Sequence, residues 1–185
     1  MTAPGQNGRV FWTAAIAVVV LDFITKALAV RYLVPAHIPH SVIGNVVRFT
    51  LAFNPGAAFS MSLGDYSRLI FGAFAVIAIY ILWRLYRSTA PGDVTRVLAL
   101  GLACGGAAGN LMDRIRWGSR GVVDFIDIGV GDVRFWTFNV ADSAVTIGAL
   151  LLAFVLWRED RDALATAAAQ AAARDSMAPE KTTAD

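Results

Sequence analysis

Charge is scarce in this sequence: 16% of its 185 residues are Asp, Glu, Lys or Arg, while 57% are hydrophobic. Soluble domains carry about 25% charged and about 45–50% apolar residues, so the balance argues against an ordinary water-facing surface and for a membrane solvent. Cysteine is almost missing. The single Cys104 excludes an intramolecular disulfide and any multi-cysteine metal site, and in its apolar, small-residue surroundings it reads as a buried small side chain. Histidine occurs twice, as His37 and His40 with Pro39 between them. A regular helix presenting both to one metal is not expected there, and no metal site is expected. The sequence has no Gly-rich phosphate loop and no dinucleotide fingerprint. Net charge is only +2 and the basic residues are scattered, which leaves no footprint for nucleic acid.

What the sequence has is long apolar runs. Crossing about 30 Å of hydrocarbon takes about 20 apolar residues at 1.5 Å each. Four segments qualify, at about 10–30, 69–86, 94–111 and 138–157. Trp12, Trp83, Trp136 and Trp157 fall near their ends, where amphipathic rings prefer to sit. The third span is short and rich in glycine (Gly101, Gly105, Gly106, Gly109), which suits close backbone approach within a helix bundle. The first is read as a permanent helix and not a cleaved signal peptide, because Asp22 and Lys26 interrupt it and no small-x-small site follows.

Four spans put both termini on one side. Arg9, Arg84, Arg87, Arg96, Arg158 and Arg161 flank one face, and Arg31, Arg48, Arg68, Arg114, Arg116, Arg120 and Arg134 the other. That near-even split leaves orientation open. Between the first two spans, the alternating stretch 42–53 before the turn formers Asn54, Pro55 and Gly56 predicts a small β-structure on the membrane surface. Residues 114–136, broken by Gly118, Gly121, Gly129 and Gly131, are expected to form a second extra-membrane piece, a surface loop. The predicted organisation is therefore one integral membrane domain over 1–161. An Ala-rich tail follows over 162–185, its first part extending the last helix and its final ten residues disordered.

Charged groups inside such spans cost several kcal/mol unless paired or hydrated, so they are candidate functional residues. Asp22 and Lys26, four apart, share a helix face and read first as a structural ion pair. The third span ends in Asn110, Asp113 and Arg114. The fourth opens with Asn139, Asp142 and Ser143, placing Asp142 about 6–8 Å inside the boundary, where it needs a partner or water. The loop between these spans emerges at the same surface and holds Asp124, flanked by Val122, Val123 and Phe125, with Asp127 and Asp132 beyond it. Two carboxylates at a low-dielectric boundary cannot both ionise easily, which leaves an acid beside a base, as in aspartic proteases. Spacing alone does not choose the pair among these acids. Ser143 as a nucleophile would need a general base; His37 or His40 could serve in principle, but nothing in the sequence points to either. A transporter would need polar residues continuing through the bilayer, whereas here they gather toward one surface.

These residues fall in five blocks: DFITK (22–26), NPGAAFS (54–60), GGAAGNLMDR (105–114), VVDF (122–125) and FNVADS (138–143). In order and spacing the set resembles the bacterial lipoprotein signal peptidases, or signal peptidase II, over roughly residues 10–157. The resemblance implies a four-helix inner-membrane protein with both termini cytoplasmic and a periplasmic-side site formed with the surface β-structure and loop or helix. It implies cleavage of diacylglyceryl-modified prolipoproteins just before the lipidated cysteine, with no metal or cofactor, and inhibition by globomycin. The catalytic aspartates of the family fall on Asp124 and Asp142. Its supporting polar residues fall on Asp22, Lys26, Asn54, Asn110, Asp113, Arg114 and Asn139. Gly56, Ala57 and Ala58 are small enough for backbone or substrate to pass closely, and a plain tight turn accounts for Gly56 as well. Besides membrane lipid and substrate, nothing in the sequence demands a partner beyond a monomer.

Overall fold

The computed structural model describes residues 5–56 and 66–177. Within them α1 spans Gln6–Tyr32, β1 His40–Ile43, β2 Val47–Asn54, α2 Ser67–Ser88 and α3 Val94–Trp117. A 3-10 turn at Gly118–Arg120 leads into β3, Val122–Val130, which returns through β4, Val133–Arg134, to α4, Val140–Met177. All four α-helices are long and apolar enough to cross a membrane. The fold is an all-α membrane bundle carrying a small antiparallel sheet in the order β1-β2-β3-β4.

The glycines of the third span explain its central place. α3 packs on each of the other helices. A Cβ built on Gly105 would lie 2.6 Å from the Ala15 carbonyl oxygen of α1, and one on Gly101 2.8 Å from that of Phe11. On the adjoining face a Cβ on Gly106 would meet the Ala141 carbonyl of α4 at 2.4 Å. Lipid tails are as apolar as Leu, so close backbone contact, more than hydrophobic burial, joins helices here. By contrast α2 touches only α3 extensively, and Ser67 is its single buried residue. Away from the sheet, Cys104 sits in an apolar cluster with Phe11, Val97 and Leu100, as its surroundings predicted.

Two expectations need correction. The third helix does not stop at Leu111 but runs to Trp117, so Asn110, Asp113 and Arg114 occupy its last two turns. The segment holding Asp124 is not a loop but the strand β3, pairing with β2 as Ala52↔Asp124 and Asn54↔Val122. Its β-branched and aromatic residues favour the pleated, half-buried setting. Leu51, Val123 and Phe125 bury against Ala29 of α1, which seats the sheet on one end of the bundle. Ala57 to Ser60 and the chain beyond Met177 lie outside the described residues.

Candidate active site

At the sheet-bearing end, α1, α3, β3 and the start of α4 converge on a buried polar network. Lys26, 3% exposed, is its hub. The ammonium is 2.7 Å from Asp22 Oδ2 and 2.9 Å from Asp113 Oδ2, and donates to Asn110 Oδ1 at 2.9 Å. Each of the two carboxylates also accepts a backbone N–H. Asp22 Oδ1 takes that of Ala141 at 2.9 Å, and Asp113 Oδ2 that of Val123 at 3.0 Å. Ala141 precedes Asp142 and Val123 precedes Asp124. The Asp22–Lys26–Asp113 triad therefore fixes the backbone beside both candidate acids. Such burial is tolerable because every charge is paired and hydrogen-bonded.

Asn139 and Asp142 open α4 with a reciprocal cap. The Asn139 N–H donates to Asp142 Oδ2 at 3.1 Å, and the Asp142 N–H donates to Asn139 Oδ1 at 2.9 Å. This is the logic of a capping box, and it holds Asp142 at the helix end that favours negative charge. Asn110 Nδ2 donates to the other oxygen, Asp142 Oδ1, at 2.7 Å. Asn139 is fully buried and reaches the second carboxylate too, its Nδ2 donating to Asp124 Oδ1 at 2.7 Å. One asparagine thus joins Asp124 to Asp142.

Asp124 is 3% exposed and accepts at its other oxygen, Oδ2, from Asn54 Nδ2 at 3.2 Å. Asn54 is aimed by an Asx turn in which the Gly56 N–H donates to Asn54 Oδ1 at 3.0 Å. Burial first, and the Asp142 charge second, push the Asp124 carboxyl up to about 7, against the pull of the Asn54 and Asn139 hydrogen bonds. Arg114 closes the site from α3, donating to the Gly56 and Asn110 carbonyls at 3.0 and 3.1 Å. Its buried Nε has no partner among the described residues.

The structure thus brings together Asp22, Lys26, Asn54, Gly56, Asn110, Asp113, Arg114, Asp124, Asn139 and Asp142. It separates the other acids of the segment. Asp127 turns to Arg134 at 2.7 Å and to the Thr50 hydroxyl at 3.0 Å, tying the sheet together, and Asp132 is exposed at the β3–β4 turn. Two glycines matter more than sequence reading indicated. Gly121 has φ +81° with the Asn54 carbonyl oxygen 2.0 Å from where a Cβ would stand, and a Cβ on Gly109 would sit 2.7 Å from Asp22 Oδ2. Glycines beside polar blocks are the one signal that marks such close approaches. Among the described residues no cluster of three metal-ligating side chains occurs.

The family described as Signal peptidase (SPase) II matches residues 14–158. A lipoprotein signal peptidase of Mycolicibacterium smegmatis is 43% identical over 155 residues, 80% of this chain and 61% of that protein's length. One from Coxiella burnetii is 39% identical over 141 residues, covering 75% of this chain and 83% of the relative. Among solved structures, a bacterial membrane enzyme determined by the in meso method superposes with a TM-score of 0.74 at 25% identity, covering 100% of this chain and 99% of its own. A second such structure gives 0.67 at 30% identity, covering 78% and 90%. With a buried, asparagine-linked pair of aspartates at one end of four apolar helices, and with these relatives, the chain belongs to the signal peptidase II family of membrane peptidases.

Proposed function

We propose that this chain removes the signal peptide from diacylglyceryl-modified prolipoproteins, cleaving before the lipidated cysteine with Asp124 and Asp142 as general acid and base. The observation that carries the reading is the shared asparagine, whose side-chain amide donates to one carboxyl, pushed up by burial, and whose backbone N–H donates to a second, held at a helix N-terminus. Asp142 takes a proton from water as the oxygen attacks the scissile carbonyl carbon, and Asp124 gives its proton to the carbonyl oxygen. On collapse the C–N bond breaks, the amine nitrogen takes the proton from Asp142, and the diol returns one to Asp124. No covalent intermediate, metal or cofactor is required. Arg114 Nε and Asn54 hold the peptide carbonyls or the lipid headgroup, and Lys26, Asp22 and Asp113 keep the two acids in register. One copy of the chain holds both acids, so catalysis needs no second copy. By family resemblance it lies in the bacterial inner membrane with both termini cytoplasmic, the site facing the periplasm, and binds globomycin.

The test is cleavage of a diacylglyceryl-modified prolipoprotein by the protein purified in detergent. Asp124→Asn and Asp142→Asn should each lower kcat by about 10² to 10⁴ while folding and globomycin binding are largely kept. Near-normal turnover in either variant would remove that residue from catalysis. No cleavage by the wild type would remove the peptidase reading itself.

A further inference from the structure

A groove in the apolar half of the bundle leads to the acids from within the membrane. α2 and α4 both lie on α3 without packing extensively on each other, and the space between them has a volume of about 370 Å3. Its floor is the small-residue ridge Ala99, Ala103 and Ala107 of α3. Ala78 and Ile81 of α2 form one wall, Val145 and Ala149 of α4 the other. Only apolar residues line it, so nothing but hydrocarbon gains by entering. The upper end is placed by helix periodicity: Ala107 lies three residues before Asn110, and Val145 three after Asp142, one turn below on the same faces. Asn110 and Asp142 are themselves hydrogen-bonded at 2.7 Å.

The lining and the position select the occupant. The walls and floor are wholly apolar, and the upper end meets Asn110 and Asp142, so the groove suits a hydrocarbon chain tethered to a group held at the acids. We propose that this groove seats one acyl chain of the substrate's diacylglyceryl group, and so hangs the scissile bond from Asn110 and Asp142 at its top; the inference rests on the peptidase reading above. Lipid anchoring then acts as orientation, since a chain held along α3 and α4 limits where the adjoining peptide bond stands.

The test narrows the groove from both lips and varies the chain. Ala149→Trp and Ala78→Trp enter from α4 and α2, and Ile147→Trp, an exposed α4 residue outside the groove, adds the same bulk elsewhere. With a dipalmitoyl lipopeptide the two groove variants should lose about tenfold or more in kcat/KM, and with a dibutyryl analogue they should match wild type. Ile147→Trp should match wild type with both, and detergent melting confirms that each variant folds. An equal loss with both substrates, or no loss with either, would overturn the proposal. Photo-cross-linking separates its failure from that of the peptidase reading. A dipalmitoyl lipopeptide carrying a diazirine in its acyl chain should label the α3 peptide containing Ala103 in wild type and not in Ala149→Trp. Labelling without cleavage would sink the peptidase and keep the groove, and cleavage without labelling would do the reverse.

Discussion

The two halves of the bundle are held by different physics. In the half away from the sheet, Gly101, Gly105 and Gly148 let α1 and α4 lie directly on the α3 backbone, and polar side chains join in at the far end, where Arg96 pairs with Glu159 and Asn7 bonds the Ala90 carbonyl and the Gly92 N–H. At the sheet end, one buried lysine, four carboxylates and two asparagines join α1, α3, β3 and α4 through hydrogen bonds of 2.7–3.2 Å. Water supplies no drive for helix pairing in a bilayer, so shape does the work in the first half. In the second the polar groups must satisfy one another because little water reaches them. Shape tolerates chemical change and not bulk, and the polar network tolerates neither a missing charge nor a missing acceptor.

The strongest test of that contrast is bulk in the glycine half. Gly105→Leu would drive a side chain into Ala15, whose carbonyl already stands 2.6 Å from the Cβ position, and α1 must leave α3. A loss above about 5 kcal/mol is expected, read as failure to recover a monodisperse protein in detergent, although no acid is touched. Next is Lys26→Met, which keeps bulk and strips the hub of charge, leaving Asp22 and Asp113 buried without their cation. About 3–5 kcal/mol of stability should go, measured by thermal melting. Smaller still is Asp113→Ala, which frees the Val123 N–H and lets β3 shift beside Asp124. The rate should fall about a hundredfold through kcat with KM little changed, whereas Asp113→Asn, which still offers an acceptor to Val123, should recover most of it.

The fold was legible where local chemistry suffices. Four runs of the length a bilayer demands became four helices, Asp22 and Lys26 four apart became an ion pair, and Asn139 and Asp142 three apart became a cap. What stayed illegible depends on distant partners. Nothing near Asp22 announces that it accepts the Ala141 N–H 119 positions away. The strand around Asp124 was hidden because Asp124 and Asp127 interrupt its apolar alternation, each answering to a partner on another element, Asn139 and Arg134. The polar C-terminal turns of α3 read as a helix end, because Asp113 and Arg114 are expensive in lipid unless Lys26 and the Gly56 carbonyl meet them. Spacing left the pair of acids open. Resemblance named Asp124 with Asp142, and the geometry links those two through Asn139 while Asp113 goes to Lys26.

The finest test reads the pH dependence of stability. Asp124 titrates near the ordinary carboxylate range when unfolded and near 7 when folded. Between those values the folded chain binds the extra proton, so its contribution to stability is complete at low pH and is lost as pH rises through about 7. Asp124→Asn deletes that contribution. The substitution also presents an amide NH2 to Asn54 or Asn139, both of which donate to the native carboxylate, so absolute stability is a poor readout. The difference between wild-type and variant stability should fall as pH rises from about 4 to about 7 and level off above it. A difference flat across that range would mean that Asp124 carries no proton at neutral pH, and the roles of acid and base would have to be exchanged. Repeating the curve in Asp142→Asn sharpens the point: without the neighbouring charge, the titration of Asp124 should move to lower pH.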